Sequence, residues 1–178
     1  MNPLSIIEKY YDPNGEAYKI LVHHCQDVTY KALAIAKNRP DLSPDLRFIE
    51  EAAMLHDIGA CRTFAPDIYC EGDNAYICHG YLGSEMIMKE GYPLHALVCE
   101  RHTGAGLSLS HIIKENLPIP HRDMLPLSIE EQIICFADKF YSKTYLGKER
   151  TIKKVRNKLE KYGTESIARF DNWCKMFI

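Results

Sequence analysis

An apolar stretch, Phe48 to Leu55, runs straight into a histidine and an aspartate, His56 and Asp57, and Ile58 and Gly59 follow. This junction restricts the fold more than any other feature of the chain. An ionised carboxylate buried without a partner costs several kcal/mol or more. A fold that buries the pair must therefore answer both side chains, and a metal ion that takes both as ligands is one way to do so. The rest of the chain has to be searched for further ligands of the same kind.

The helical period dominates, and no clear period-2 strand stands out. A short helix is expected over Leu4–Tyr10 and a long one over Glu16–Lys37, ended before Pro40. The next is expected to begin with Ser43 as N-cap and Pro44 at the first helical position, and to stop at Gly59. Arg62–Ala75 reads as a loop, broken by Pro66, Gly72, Asp73 and Asn74. Helices are expected over Cys78–Lys89, Leu94–His102 and Ser108–Asn116. Ser128 is expected to cap a long helix to Tyr145, with Glu131 in the capping-box position. Helices over Arg150–Lys161 and on to Phe177 complete the pattern. The expectation is a single all-α domain over residues 1–178, a bundle of about seven to nine helices.

Helix faces sort the polar residues. His24 lies four residues from both Ile20 and Val28 and points inward, whereas His23 lines up with Lys19 and Asp27 and points to water. His56 follows Ile49, Ala52 and Ala53; His79 precedes Leu82, Gly83 and Met86; His102 follows Val98; Asp138 closes the run IICFAD. With Asp57, six imidazoles or carboxylates fall on apolar faces of five helices. One such residue is usually a satisfied core polar group. Six together are what a metal site built from inward-facing helix residues requires. Lys or Arg partners are the alternative. His95, His111 and His121 lack a consistent inward face and read as surface residues.

Composition narrows the setting. The formal net charge is −2, which argues against an extended nucleic-acid footprint. No stretch is apolar enough to span a bilayer, and MNPLSIIEKYYD lacks the pattern of a signal peptide. Seven scattered cysteines without a CxxC pair read as core thiols of a cytoplasmic protein. Oligomeric state is not legible.

The ordered set His24, His56-Asp57 in MLHDIG, and Asp138 in FADK resembles the HD-domain metal-dependent phosphohydrolase superfamily. The resemblance covers residues 18–146, with the helices of 150–177 beyond it. The segments CHGYLGSEM around His79 and CERHTGAG around His102 resemble the extra ligand positions of two-metal members. They are similar to those of HD-type diadenosine tetraphosphate hydrolases and of small single-domain HDIG proteins of prokaryotes. The cyclic-di-GMP phosphodiesterase branch is a poorer match, because Ala60 stands where that branch has lysine.

The resemblance implies that His24, His56, Asp57 and Asp138 bind one ion, and that His79 and His102 bind a second with Asp57 bridging. The ions implied are Fe, Mn, Co, Ni, Zn or Mg, with four imidazoles favouring a transition metal. It implies hydrolysis of a phosphate ester or anhydride in a nucleotide or other small phosphorylated metabolite. Asp57, Arg62 and Lys139 are the expected catalytic residues, the two cations serving the phosphate; Arg101 is less well placed. Thr103, Gly104 and Gly106 form a small-residue turn that suits either close substrate approach or a helix cap. Tyr76, Tyr81 and Tyr141 are candidates for stacking on a base, or for ordinary packing. Two other readings stay open: a nucleotide-binding regulatory module without turnover, and a di-iron oxygenase using the same ligands.

Overall fold

The computed structural model describes residues 1–178. Nine α-helices carry the fold: α1 Pro3–Ile7, α2 Glu16–Asn38, α3 Leu46–Leu55, α4 His79–Lys89, α5 Pro93–Arg101, α6 Leu109–Lys114, α7 Ile129–Asp138, α8 Ile152–Leu159 and α9 Gly163–Phe177. The chain is all-α apart from a small antiparallel hairpin, β1 Phe64–Ala65 and β2 Cys70–Glu71, inside the expected loop. No helix is long and apolar enough to cross a membrane.

Five of the nine helices start on a side-chain cap, and one expected cap needs correction. Ser43 does not cap α3. It closes the Pro40–Leu42 turn with φ 49°, a left-handed backbone that cannot present an N-cap side chain. Asp45 does so instead, accepting from the Phe48 N–H at 2.9 Å. Ser128 caps α7 as expected, accepting from the Glu131 N–H at 3.2 Å. Glu131 does not complete a capping box; its carboxylate takes the Leu127 N–H at 3.0 Å and pairs with Arg101.

Three helices stop earlier than their apolar patterns suggest, α3 at Leu55 and not Gly59 among them. α1 ends at Ile7, with the Tyr10 N–H turning back onto the Ile7 carbonyl. α7 ends at Asp138, not Tyr145, because Arg150 takes up the carbonyls that would extend it. Its guanidinium donates to the Lys139 and Tyr141 carbonyls, and its own N–H donates to the Phe140 carbonyl. That arrest turns residues 139–150 away from the helix axis and toward the site described below.

Two apolar clusters flank the site. The larger joins Val28 and Ala32 of α2, Ile49 of α3, Ile133–Ala137 of α7 and Phe170, Trp173 and Phe177 of α9. Phe136 lies at its centre, with ring centroids of Phe140, Phe170 and Phe177 at 5.0, 5.3 and 5.4 Å. Full burial of such a side chain contributes about 1.5–3 kcal/mol. The smaller cluster joins Leu21 and Cys25, Leu55 and Ile58, Met86 and Ile87, and Cys99. α2 and α3 serve both clusters, so His24 and His56 stand where one passes into the other. The seven cysteines are all free thiols, mostly buried.

After α3 the chain makes a 3-10 turn, Ile58–Arg62, laid directly on α4. A Cβ on Gly59 would sit 2.2 Å from the His79 carbonyl oxygen and 2.3 Å from the Gly83 nitrogen, so only glycine permits this approach. The buried Tyr11 hydroxyl pins the turn, donating to the Ile58 carbonyl at 3.0 Å and accepting from the Cys61 N–H at 2.8 Å.

Candidate metal centre

His24 from the middle of α2, His56 and Asp57 from the end of α3, His79 from the start of α4, His102 from the end of α5 and Asp138 from the end of α7 converge. Three of the imidazoles are held in the same way. His56 Nδ1 meets the Ala53 carbonyl at 2.6 Å, His79 Nδ1 the Tyr76 carbonyl at 2.7 Å, and His102 Nδ1 the Cys99 carbonyl at 2.7 Å. A carbonyl only accepts, so each Nδ1 carries the proton. At His79 and His102, which burial keeps neutral, Nε2 is then left with a free lone pair directed at the centre, while Nε2 of His56 faces Asp57. This orientation by a backbone acceptor is what a ligating histidine requires.

Asp57 is fully buried and sorts the histidines by its two oxygens. Oδ2 lies 3.0 Å from His24 Nε2 and 3.0 Å from His56 Nε2; Oδ1 lies 3.3 Å from His79 Nε2 and 3.2 Å from His102 Nε2. Asp138 Oδ1 joins the first side, 3.1 Å from His24 Nε2. The ligand atoms thus form two groups, His24–His56–Asp57–Asp138 and Asp57–His79–His102, with Asp57 common to both.

Three observations test whether a cation fits. His79 Nε2 and His102 Nε2 face each other at 3.0 Å, and with both Nδ1 atoms protonated no proton lies between them. Two opposed lone pairs at that distance need a cation. Oδ1 of Asp57 and Nε2 of His56 are buried without a well-formed hydrogen bond, and the cationic partner of Asp57 Oδ2 is the Lys143 ammonium. The electrostatics agree. Burial alone would raise Asp57 and Asp138, yet the ammonium groups of Lys143 and Lys139 and the nearby imidazoles hold both well below the usual carboxylate range. Burial also opposes a charged His56, and Asp57 overcomes it, raising His56 well above its ordinary value. Burial depresses His79 to about 3 and lowers His102, keeping both neutral at physiological pH and free to ligate. The donor set fits a divalent metal site.

The HD domain model matches residues 21–142. This chain belongs to the HD-domain family. An uncharacterized protein of Methanocaldococcus jannaschii is 33% identical over 145 residues, covering 79% of this chain and 78% of the relative. A tRNA (cytidine(56)-2'-O)-methyltransferase of Picrophilus torridus is 32% identical over 125 residues, covering 69% of this chain. The match spans only 32% of that methyltransferase's own length. No solved structure matches the chain.

The cluster of this HD domain opens into a cleft of about 530 Å³. Lys139 lines it, pairing with Asp138 Oδ2 at 2.7 Å and donating to the His102 carbonyl at 2.8 Å. Arg62 does not line it; its half-exposed guanidinium reaches Glu85 at 3.8 Å. Arg101 also points elsewhere, into a pair with Glu131. Tyr76 and Tyr141 line the cleft and Tyr81 does not. His23 faces solvent, as its helix position implies. His95 departs from a surface role: it is half-buried, with its ring 4.6 Å from that of Phe48 and its Nε2 3.4 Å from Glu51.

Lys143 escaped the sequence reading. On a helix running to Tyr145 it would have stood one turn beyond Lys139. With α7 arrested at Asp138, Lys143 folds back instead. Its ammonium pairs with Asp57 Oδ2 and donates to the Tyr76 hydroxyl at 2.9 Å. A lysine within a few residues of the FAD segment was the available signal.

Proposed function

We propose that the protein is a metal-dependent phosphohydrolase that cleaves an ester or anhydride bond in a nucleotide or other small phosphorylated metabolite. The observation that carries this reading is Asp57, with one oxygen turned to His24 and His56 and the other to His79 and His102. That division suits two ions sharing one carboxylate, one held by His24, His56, Asp57 and Asp138, the other by Asp57, His79 and His102. Four imidazoles favour a transition metal such as Fe, Mn, Co, Ni or Zn over Mg. A bound divalent ion lowers the pKa of water from about 15.7 towards about 7 and polarises a phosphoryl oxygen.

The chain's own groups then have distinct roles. Asp57 orients the site from its centre, and Lys139 and Lys143 present ammonium groups to the non-reacting phosphoryl oxygens. Water oxygen bonds to phosphorus, the bond from phosphorus to the leaving oxygen breaks, and that oxygen keeps the electron pair and receives a proton. Arg62, which reaches Glu85 outside the cleft, has no part in this assignment. The Picrophilus relative, named for an activity on tRNA, supports a nucleotide as the phosphorylated group.

The test is turnover. Protein reconstituted with Mn or Fe should release phosphate or a nucleotide from members of a phosphate-compound panel, and His56→Ala or Asp57→Ala should abolish both metal content and turnover. Full metal occupancy in those variants would show the ligand assignment to be wrong. Tight nucleotide binding with no turnover would establish the regulatory module instead. Iron-loaded protein with a mixed-valence electron paramagnetic resonance signal and no phosphate release would establish the oxygenase.

A further inference from the structure

The cleft has a second wall that lies outside the family match. Residues 150–162 contribute Arg150, Val155, Lys158, Leu159, Lys161 and Tyr162 to it, whereas the matched region ends at residue 142. Three of these six side chains are cations: Arg150 donates to backbone carbonyls, Lys161 lies over the Tyr162 ring at 4.8 Å, and none of the three forms an ion pair with a carboxylate. They also crowd one another. Lys158 is lowered by partial burial and by the neighbouring charges of Arg150 and Lys161. Gathered on one wall of a cleft, these cations give it a positive potential that attracts anions.

Helix polarity does not account for the cluster. Lys158 does lie in the last turn of α8, where a cation complements the helix dipole. Arg150 likewise meets carbonyls just past the end of α7, but Lys161 follows α8 and caps neither helix, so the dipoles give no reason for all three to share one wall.

The wall is also held at a fixed position relative to the His/Asp cluster. The Tyr162 ring rests on Gly104, where a Cβ would lie 3.0 Å from the ring. Gly104 has φ +62°, so the glycine meets a backbone need and a steric one together. Arg150 is fixed by the Lys139 and Tyr141 carbonyls. The cations therefore stand on a scaffold anchored beside His102 at one end and beside Asp138 at the other.

We propose that Arg150, Lys158 and Lys161 form a second anion subsite, so that the substrate carries at least one phosphate beyond the one at the His/Asp cluster. This rests on the phosphohydrolase reading. The cleft volume of about 530 Å³ lies within the range of small-molecule sites and exceeds what one phosphate fills. Nucleoside diphosphates and triphosphates are the substrate class that meets both demands, with Tyr76 and Tyr141 among the residues lining the cleft to face a base.

The experiment is calorimetric titration of the manganese-loaded full chain with AMP, ADP and ATP, for wild type and the Lys158→Ala/Lys161→Ala double variant. Both lysines are exposed, so the variant keeps the fold, which circular dichroism checks. Wild type should prefer ADP or ATP over AMP by roughly tenfold or more, the scale of one lost charge contact, and the double variant should lose that preference while binding AMP unchanged. An undiminished preference in the variant, or an equal loss for AMP, overturns the subsite. So does a 5'-phosphorylated oligonucleotide that binds tighter than ATP and depends on the same lysines. Turnover is read separately on the same samples: absence of hydrolysis counts against the phosphohydrolase reading, while the binding ratio still decides the subsite.

Discussion

At the scale of single residues, the division of labour at Asp57 makes separable claims. On the proposed two-ion reading, His102→Ala removes a ligand of Oδ1's side only, so metal content measured by mass spectrometry should fall from two ions per chain to one. Asp57→Ala should take it to none, because both groups share that carboxylate. Equal loss in the two variants would contradict a bridging role. The same histidines give a pH signature in chelator-treated protein. His79 is held at about 3 in the folded chain against 6.5 in the unfolded one, and His102 is lowered as well. Between those values the unfolded state binds more protons, so stability is complete above pH 6.5 and falls as the solution is acidified below it. His56, raised above 6.5, is protonated in both states in this window and adds no slope; its contribution is lost only at higher pH. The depressed carboxylates Asp57 and Asp138 act only below about pH 4. Midpoints of thermal unfolding from pH 6.5 to about pH 4.5 should therefore decline, and His79→Gln should flatten the decline. An unchanged slope would mean that His79 is not the buried neutral group described.

At the scale of elements, Gly59 couples the turn carrying the ligand pair to the helix carrying His79. Gly59→Ala would drive a methyl into the backbone of α4, where a Cβ meets the His79 carbonyl at 2.2 Å. The cost should be at least the ~1–3 kcal/mol typical of overpacking, read from chemical denaturation, with weakened metal binding at the His79–His102 side. Asp45→Ala should cost about 1 kcal/mol by removing the α3 cap, whereas Ser43→Ala should cost little. These contrasts mark what was legible in the sequence. The inward faces of α2 and α3 follow from apolar spacing alone, and His24 and His56 lie where that spacing puts them. The α3 cap was misread because Ser-Pro imitates a start signal, and only the left-handed backbone at Ser43 excludes it. The end of α7 was beyond local reading, since an arginine twelve residues away caps its carbonyls. Lys143 was lost with it, and so was the unsuitability of Arg62, whose distance from the cleft depends on how the 3-10 turn packs.

At the scale of the whole molecule, the last helix helps to hold a ligand it never touches. The segment HTGAG, residues 102–106, gives His102, Thr103 and Gly104 to the cleft and is held from behind by α9. Arg169 of α9 donates to the Ala105 carbonyl at 2.7 Å and to the Gly106 carbonyl at 3.2 Å, and the Ser166 hydroxyl accepts the Ala105 N–H at 3.1 Å. Lys139 and Cys135 of the α7 region take the His102 carbonyl from the other side. His102 therefore depends on two elements that meet it from opposite directions, and one of them lies beyond the matched residues. Arg169→Ala should cost about 1.5–3 kcal/mol of stability, the usual worth of hydrogen bonds from a charged donor. It should also weaken the ion on the His79–His102 side by roughly tenfold, as loss of a group supporting a ligand does. An ion bound by His24, His56 and Asp138 should be unaffected, because Arg169 and Ser166 bond only to the backbone of Ala105 and Gly106. Metal titration of the variant at a temperature well below its unfolding transition separates the two effects. If both ions weaken together, or only stability falls, then α9 is a packing element and has no influence on the metal centre.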